Sequence, residues 1–372
     1  MKRSFSVVLV VLFVALLAVA AAAEQDWEAI EAAARQEGEV VIYSVSSRME
    51  NILEPFMEKY GIKIIWYDME SSDQLEKFGR ESNAGVFEVD VLYGNHYPEL
   101  TNEFLPEGMV EAFIPDTTAP FLEADEMDPF LVQRWSGRVL IYNAAYYPDG
   151  CPIDSLWDLT REEWRGKVLT PDPINDVMGH VYQTIVQHAD EMAAAYEREF
   201  GEPIVLSPGV ADAGHEWFLR YIQNEPVIIS STSSIAKGVT DITQTGVPPL
   251  GFTTFSRLRD YGVDPCGESQ YAGAAAFDLD PVFGVAYPTI LALSSKAPHP
   301  NAGKLLIRYL VETGYWPWNE IGDYASREDF EALQVAQFGI PPLDEVGLWK
   351  TDANYVYDTL YEFADFYLIN SP

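Results

Sequence analysis

Side chains able to hold a small solute gather wherever an apolar strand-like run of this chain stops. Val40-Val41-Ile42-Tyr43 is followed by Ser44, Ser46 and Ser47, and Ile62 to Tyr67 is followed by Ser71 and Ser72. Phe87 to Tyr93 runs into Gly94-Asn95-His96, and Val227-Ile228-Ile229 into five successive hydroxyls from Ser230, including Ser231, Thr232, Ser233 and Ser234. Leu250 to Phe255 carries Thr253 and Thr254, with Arg257 and Arg259 just beyond. Hydroxyls and backbone N–H groups at a helix N-terminus bind an oxyanion without needing a counter-charge. A guanidinium such as Arg257 adds two parallel hydrogen bonds to a carboxylate or phosphate. Ser and Thr in such places also serve as plain helix caps. Recurrence at several strand ends is what points to a site, with Tyr43 and His96 as further candidates beside Asn95.

The element that must position these groups is Val40 to Asp68. A β-branched run too short for a helix opens it. Ile52, Leu53, Phe56 and Met57 then recur at helical spacing, Gly61 ends the helix, and Ile62 to Tyr67 is a second strand. Strand, helix and strand in this order form a right-handed βαβ unit on a parallel sheet. Ligands of open α/β sheets sit at the carboxyl ends of such strands, where the serine loop falls. Asp26 to Arg35, Val177 to Phe200, Ala213 to Gln223, Asn301 to Val311 and Asp352 to Ile369 also read as helices. Trp135 to Asn143 and Tyr287 to Leu293 read as strands crossing between two lobes, because so long a chain exceeds what one core organises.

Composition narrows the function. Met1-Lys2-Arg3, the apolar run Phe5 to Ala20 and Ala21-Ala22-Ala23 read as a cleavable signal peptide, residues 1–23, which places the mature chain in the periplasm. The 58 acidic residues against 23 basic ones give a net charge of −35, which excludes nucleic acid as a partner. A saline habitat explains the excess, since counterions screen the self-repulsion; a field that draws in a cationic solute is the alternative. Cys151 and Cys266 could pair in an oxidising compartment. They are too few for a metal site, and neither a metal nor a cofactor is expected. No G-x-S-x-G, phosphate-binding loop, G-x-G-x-x-G or H-E-x-x-H motif occurs, so the chain reads as a non-enzyme. A secreted hydrolase is the alternative from another class.

VVIYSVSSRMENILEPFMEKYGIKI, EVDVLYG, WRGKVLTPDP and HPNAGKLLIRYLV stand in the order found in bacterial extracellular solute-binding proteins. The chain resembles the ferric-iron-type, family 1 binding proteins of ABC importers, over most of its mature length. The resemblance implies an α/β periplasmic-binding-protein fold of two lobes, each a mixed sheet flanked by helices, joined by two hinge strands. Lobe I then takes residues 24–137 and about 285–335, and lobe II takes 138–284 and about 336–372. It also implies a monomer that delivers its solute to an ABC permease in the inner membrane. Ferric-binding relatives use a tyrosine pair and commonly a histidine. Here the corresponding stretches read Phe252-Thr253-Thr254-Phe255 and Ser44-Val45-Ser46-Ser47, and Tyr146-Tyr147 follows a crossing strand. Neutral hydroxyls are poor ligands for Fe(III). An oxyanion-bearing solute, phosphorylated or carboxylated, is therefore the expected cargo, with ferric iron or a thiamine-type cation as the alternative.

If the acidity is an adaptation to salt, the melting temperature rises from dilute buffer to molar KCl. An unchanged melting temperature would refute it.

Overall fold

The computed structural model describes residues 24–372 except 175, 176 and 265. The signal peptide read at 1–23 lies outside the described residues. In the first half the elements are α1 (Trp27–Glu37), β1 (Glu39–Ser44), α2 (Glu50–Tyr60), β2 (Lys63–Asp68), α3 (Ser71–Asn83), β3 (Val91–Gly94), the short α4 (Tyr97–Glu99), β4 (Val110–Glu111), β5 (Leu131–Asn143), β6 (Val168–Thr170), α5 (Met178–Gln187) and α6 (Ala189–Phe200). The second half contains α7 (Ala213–Gln223), β7 (Val227–Ile228), α8 (Thr232–Thr240), β8 (Leu250–Thr254), α9 (Leu258–Tyr261), β9 (Gly273–Ala275), β10 (Gly284–Ser294), α10 (Pro300–Val311), β11 (Asp323–Ala325), α11 (Glu328–Phe338), β12 (Trp349–Lys350) and α12 (Ala353–Asn370).

The βαβ unit forms as its pattern requires. β1 and β2 pair in parallel with Val40 opposite Ile64, and β3 joins β1 in parallel on its other side. Asp26 caps α1 by accepting from the Ala29 N–H at 3.0 Å. Gly38 and Gly61 end α1 and α2 with φ of 77° and 72°, a region that favours glycine. The buried stripe of α2 is Ile52, Phe56 and Tyr60, continuing from Met49. Met57, expected on that stripe, is exposed, because the sheet meets the helix one position further round. The stretch expected as one helix from Val177 to Phe200 is two, α5 and α6, with a break at His188 whose ψ of 47° leaves the helical region.

One twisted sheet runs through the molecule in the order β2-β1-β3-β10-β5-β8-β6-β7. Its centre is the antiparallel pair β5 and β10, with Ser136 opposite Tyr287. β10 also pairs antiparallel with β3, and β5 with β8, so each long strand serves a different half of the sheet. These are the two hinge strands of a two-lobed fold. Both are buried along almost their whole length. One core packs α1, α2 and α10 on the β1 side, around Ile52, Phe56, Leu305 and Trp318. A larger one fills the other half, around Trp157, Tyr182, Trp217 and Phe252, and continues under α3 through Tyr43, Phe78 and Leu92.

The last helix joins the two halves. α12 packs on α4 and the turn after it on one side, and on α5 and α7 on the other. Gln183 Nε2 of α5 donates to Val356 O and Thr359 Oγ1 of α12, each at 2.9 Å, while Asn102 Nδ2 reaches Ala353 O at 3.4 Å. Phe363 stacks on Phe218 of α7 at 4.7 Å.

Gly284 sits where β10 enters the hinge, and a Cβ there would lie 2.2 Å from the backbone oxygen of Arg138. Gly284→Ala is therefore expected to cost about 1–3 kcal/mol, since the close approach is to backbone that cannot rotate away. Denaturant unfolding measures this, and a loss under about 0.5 kcal/mol, the range of a neutral surface change, would show that the hinge strands can part.

Candidate functional site

Strand alternation builds the floor of the cleft. Arg134, Ser136 and Arg138 occupy alternate positions of β5 and so share one face. Tyr287 of β10 faces them across the pair, with the Arg138 guanidinium 5.8 Å from its ring centre. Asp323 of β11, paired opposite Ser136, is buried and accepts from Ser136 Oγ at 2.6 Å. Arg48 Nη1 lies 3.4 Å from the other oxygen of Asp323, and Arg134 Nε lies 3.9 Å from the first. Arg134 also donates to Tyr93 Oη and to Gln133 Oε1. A buried carboxylate thus holds two guanidiniums in place, which offsets much of the cost of burying all three charges.

Around this floor lies a chamber of about 240 Å³, lined in part by Ser46, Ser47, Arg48, Arg134, Arg257 and Arg259. Its walls come from the loop after β1 and from the end of β8 with α9. Glu320 pairs with Arg48 and with Arg259, tying the two walls together. Arg257 differs from its neighbours. Its Nε donates to Thr232 Oγ1 at 3.1 Å, and among the described residues it has no ion pair. Burial, with Arg259 and Arg138 nearby, pulls its pKa below the usual guanidinium value, against a smaller opposing pull from Tyr261 and Asp260.

A second chamber of about 580 Å³ adjoins the first, sharing Asn95 and Tyr287 with it. Ser71, Ser72, Leu75, Gln183 and Phe363 are among its lining residues. Asn95 fixes the junction. Its Nδ2 donates to Pro288 O at 3.0 Å and to Thr289 Oγ1 at 2.8 Å, and its N–H donates to Ser71 Oγ at 3.3 Å. The N-cap position of α3 is Glu70, which makes no side-chain cap bond, so neither Ser71 nor Ser72 caps that helix.

The candidate residues divide into those at the cleft and those elsewhere. Ser46, Ser47, Ser71, Ser72, Asn95, Thr254 and Arg257 line the chambers. Ser46 Oγ there accepts from Trp318 Nε1 at 2.8 Å, and Thr254 Oγ1 accepts from Arg138. Tyr43 is not at the cleft. It packs under α3 and donates to Glu81 Oε2 at 2.7 Å, and burial pushes its hydroxyl pKa up to about 12. Ser44 is buried and accepts from the Ser46 N–H at 3.0 Å, shaping the loop from beneath. Gly94 serves close packing, since a Cβ there would lie 2.9 Å from the His96 ring. Of the hydroxyl run, Ser230 lines the larger chamber. Ser231 caps α8 by accepting from the Ser234 N–H at 3.3 Å, Ser233 shares a hydrogen bond with Tyr261 Oη at 2.7 Å, and Ser234 is exposed. Thr232 holds Arg257, and Thr253 is buried with its hydroxyl donating to Thr232 O at 2.9 Å.

Arg48, Arg134, Ser136, Arg138, Tyr287 and Asp323 also line the cleft and are absent from that set. A sequence signal for three of them exists: Arg134, Ser136 and Arg138 place polar groups at period two inside an apolar strand. Cys151 and Cys266 are not joined in this structure. Cys151 is half-buried against the core, where burial pushes its thiol pKa up to about 11. Cys266 is exposed in a turn organised by Asp264, and both are free thiols. Tyr146, of the chain's adjacent tyrosine pair, is half exposed and its ring contacts Tyr147. Among the described residues, Asp154, Asp158 and Glu199 come close enough to share a cation. Arg161 already bridges Asp158 and Glu199 there.

Solved structures share this architecture. Iron-bound HitA from Pseudomonas aeruginosa superposes with a TM-score of 0.67 at 15% identity, over 90% of this chain and 99% of that one. MotA from A. tumefaciens B6, in complex with glucopine, gives 0.64 at 13%, over 90% of this chain and 100% of that one. IdiA (FutA) from Trichodesmium, with iron and citrate, gives 0.63 at 14%, over 90% and 99%. The chain has the two-lobed fold of periplasmic binding proteins. No family model matches the chain, and no curated protein matches it.

His96, beside the cleft, gives the folding stability a pH dependence. It is buried, its Nε2 lies 3.2 Å from Gln74 Oε1, and burial lowers its pKa from 6.5 to about 3. The unfolded chain takes up a proton below pH 6.5 that the folded chain refuses until about pH 3. Stability from this group is complete above pH 6.5 and falls by up to about 1.4 kcal/mol per unit below it. His96→Gln is expected to flatten that part of the stability–pH curve, as read by denaturant melts between pH 4 and 8. Parallel curves for the two proteins would refute the assignment.

Proposed function

We propose that this chain is the periplasmic substrate-binding component of an ABC importer, and that it captures an oxyanion-bearing solute, phosphorylated or carboxylated, for delivery to the permease. The observation that carries the reading is Arg257, a guanidinium without an ion pair among the described residues, in a chamber it shares with Arg48, Arg134 and Arg259. In a chain of net charge −35, a cluster of that sign runs against the surrounding field and calls for an anionic occupant. The leader-like start of the sequence and the likeness to binding proteins support the setting.

The lobes divide in this reading near Gly137 and Gly284, where β5 and β10 pass from one half of the sheet to the other. Arg48 then approaches the solute from lobe I and Arg257 and Arg259 from lobe II. Closure brings charges from both lobes onto one anion, so the solute binds the closed form better and shifts the population toward it. The monomer needs no catalytic group for this work. Fe(III) as a bare ion fits less well, since the arginines would repel it and the chamber offers it Asp323, a carboxylate already engaged by Arg48 and Ser136.

Titration calorimetry of the mature protein with inorganic phosphate, malate and Fe(III) with carbonate tests the proposal. Phosphate or malate should bind, and Arg257→Ala should weaken that binding roughly tenfold to a hundredfold, the worth of one charge-assisted contact. Binding of Fe(III) alone, or of an anion indifferent to Arg257→Ala, would overturn it.

A further inference from the structure

We propose that the solute carries a hydroxylated organic body of about sugar size, held in the second chamber with the C-terminal helix as its outer wall. This deepens the reading of the cleft given above and rests on it. The second chamber has more than twice the volume of the arginine chamber, 580 against 240 Å³, and the two meet at Asn95 and Tyr287. An inorganic oxyanion seated among the arginines would leave the larger space unused.

The lining specifies the chemistry of the body. Leu75 and Phe363 offer apolar surface, Ser71 and Ser72 offer hydroxyls, and Glu70, Glu99 and Arg138 bring charged groups of both signs to the same wall. Gln183 is 1% exposed, and both bonds of its Nε2 go to α12. Its carbonyl Oε1 has no hydrogen-bond partner among the described residues. A buried acceptor left unpaired costs about 1–3 kcal/mol, and a hydroxyl-bearing ligand is the kind of partner that relieves it. A ring with hydroxyls on its rim and an apolar face matches such a wall, whereas a plain alkyl chain would desolvate Ser72 without replacing its hydrogen bonds.

α12 decides how much room the body has. Leu360, Phe363 and Ala364 form its face toward the chamber. Its packing on α4 on one side and on α5 and α7 on the other fixes that face across the two halves of the molecule. Ala364 is the small residue on this face, only half-buried, so a larger side chain there would project into the chamber without entering the core. We assign α12 the role of a specificity wall.

The test is calorimetry on the mature full chain with four probes: inorganic phosphate, hexyl phosphate, glucose 6-phosphate and gluconate. At least one of the two hydroxylated probes should bind tenfold or more tighter than both phosphate and hexyl phosphate, and which one gains tells a phosphate head from a carboxylate. Ala364→Trp should abolish that gain and leave phosphate binding unchanged. If Ala364→Trp does not fold, judged by its melting transition, Ala364→Leu is read in its place. Equal affinity for all probes, a preference for hexyl phosphate, or a gain that survives the substitution would overturn the inference while leaving the arginine chamber standing. Failure of every anion to bind, with Arg257→Ala without effect, would instead overturn the function proposed for the cleft.

Discussion

The pairing of β5 with β10 is the constraint on which the rest of the structure depends. Both strands are buried on both faces, so their backbone groups must be satisfied by neighbours along their full length. β3 satisfies one edge of β10, and β8 and β11 satisfy one edge of β5. The two halves of the sheet are therefore not independent bodies in contact. They are extensions of one central ladder, and the cleft between them is as well defined as the register of that ladder.

That register also brings charge between the two hydrophobic cores. Side chains alternate across a strand, so a face carrying Arg134, Ser136 and Arg138 must point away from the packed face that carries Trp135 and Val139. A buried guanidinium is tolerable only with partners. Asp323 supplies one because β11 pairs on the edge of β5 at Ser136, which places its carboxylate beside Arg134 and Arg48. The same carboxylate cannot neutralise Arg257, which belongs to the opposite wall. The imbalance is local and survives within a strongly acidic protein, because screening by salt weakens the distant surface carboxylates more than it weakens close, partly buried groups.

The elements were largely legible from local pattern. β-branched runs marked β1, β2 and the core of β5 and β10, and Gly38 and Gly61 marked the ends of α1 and α2, since each of these depends on neighbours a few residues away. Met57 departs from its pattern for a related reason. Two stripes one position apart on a helix satisfy the same spacing, and only the direction from which the sheet arrives separates them. The break at His188 has no such signal, since α5 and α6 both carry helical patterns and the turn between them is set by what each packs on.

For the site, the sequence by itself determined which loops would meet at the carboxyl ends of the strands, and that hydroxyls and Arg257 would be among them. Tertiary structure alone decided which of those hydroxyls face the cleft. Thr253 and Thr254 differ by one position on a strand, and alternation sends one to a backbone carbonyl and the other to the chamber. Ser46 and Arg48 take their partners from Trp318, Glu320 and Asp323, some 270 residues away, and no local pattern encodes a contact of that span. Local sequence sets backbone conformation through sterics and capping. Where a side chain points, and what it meets there, is settled only when the two hinge strands bring the distant segments together.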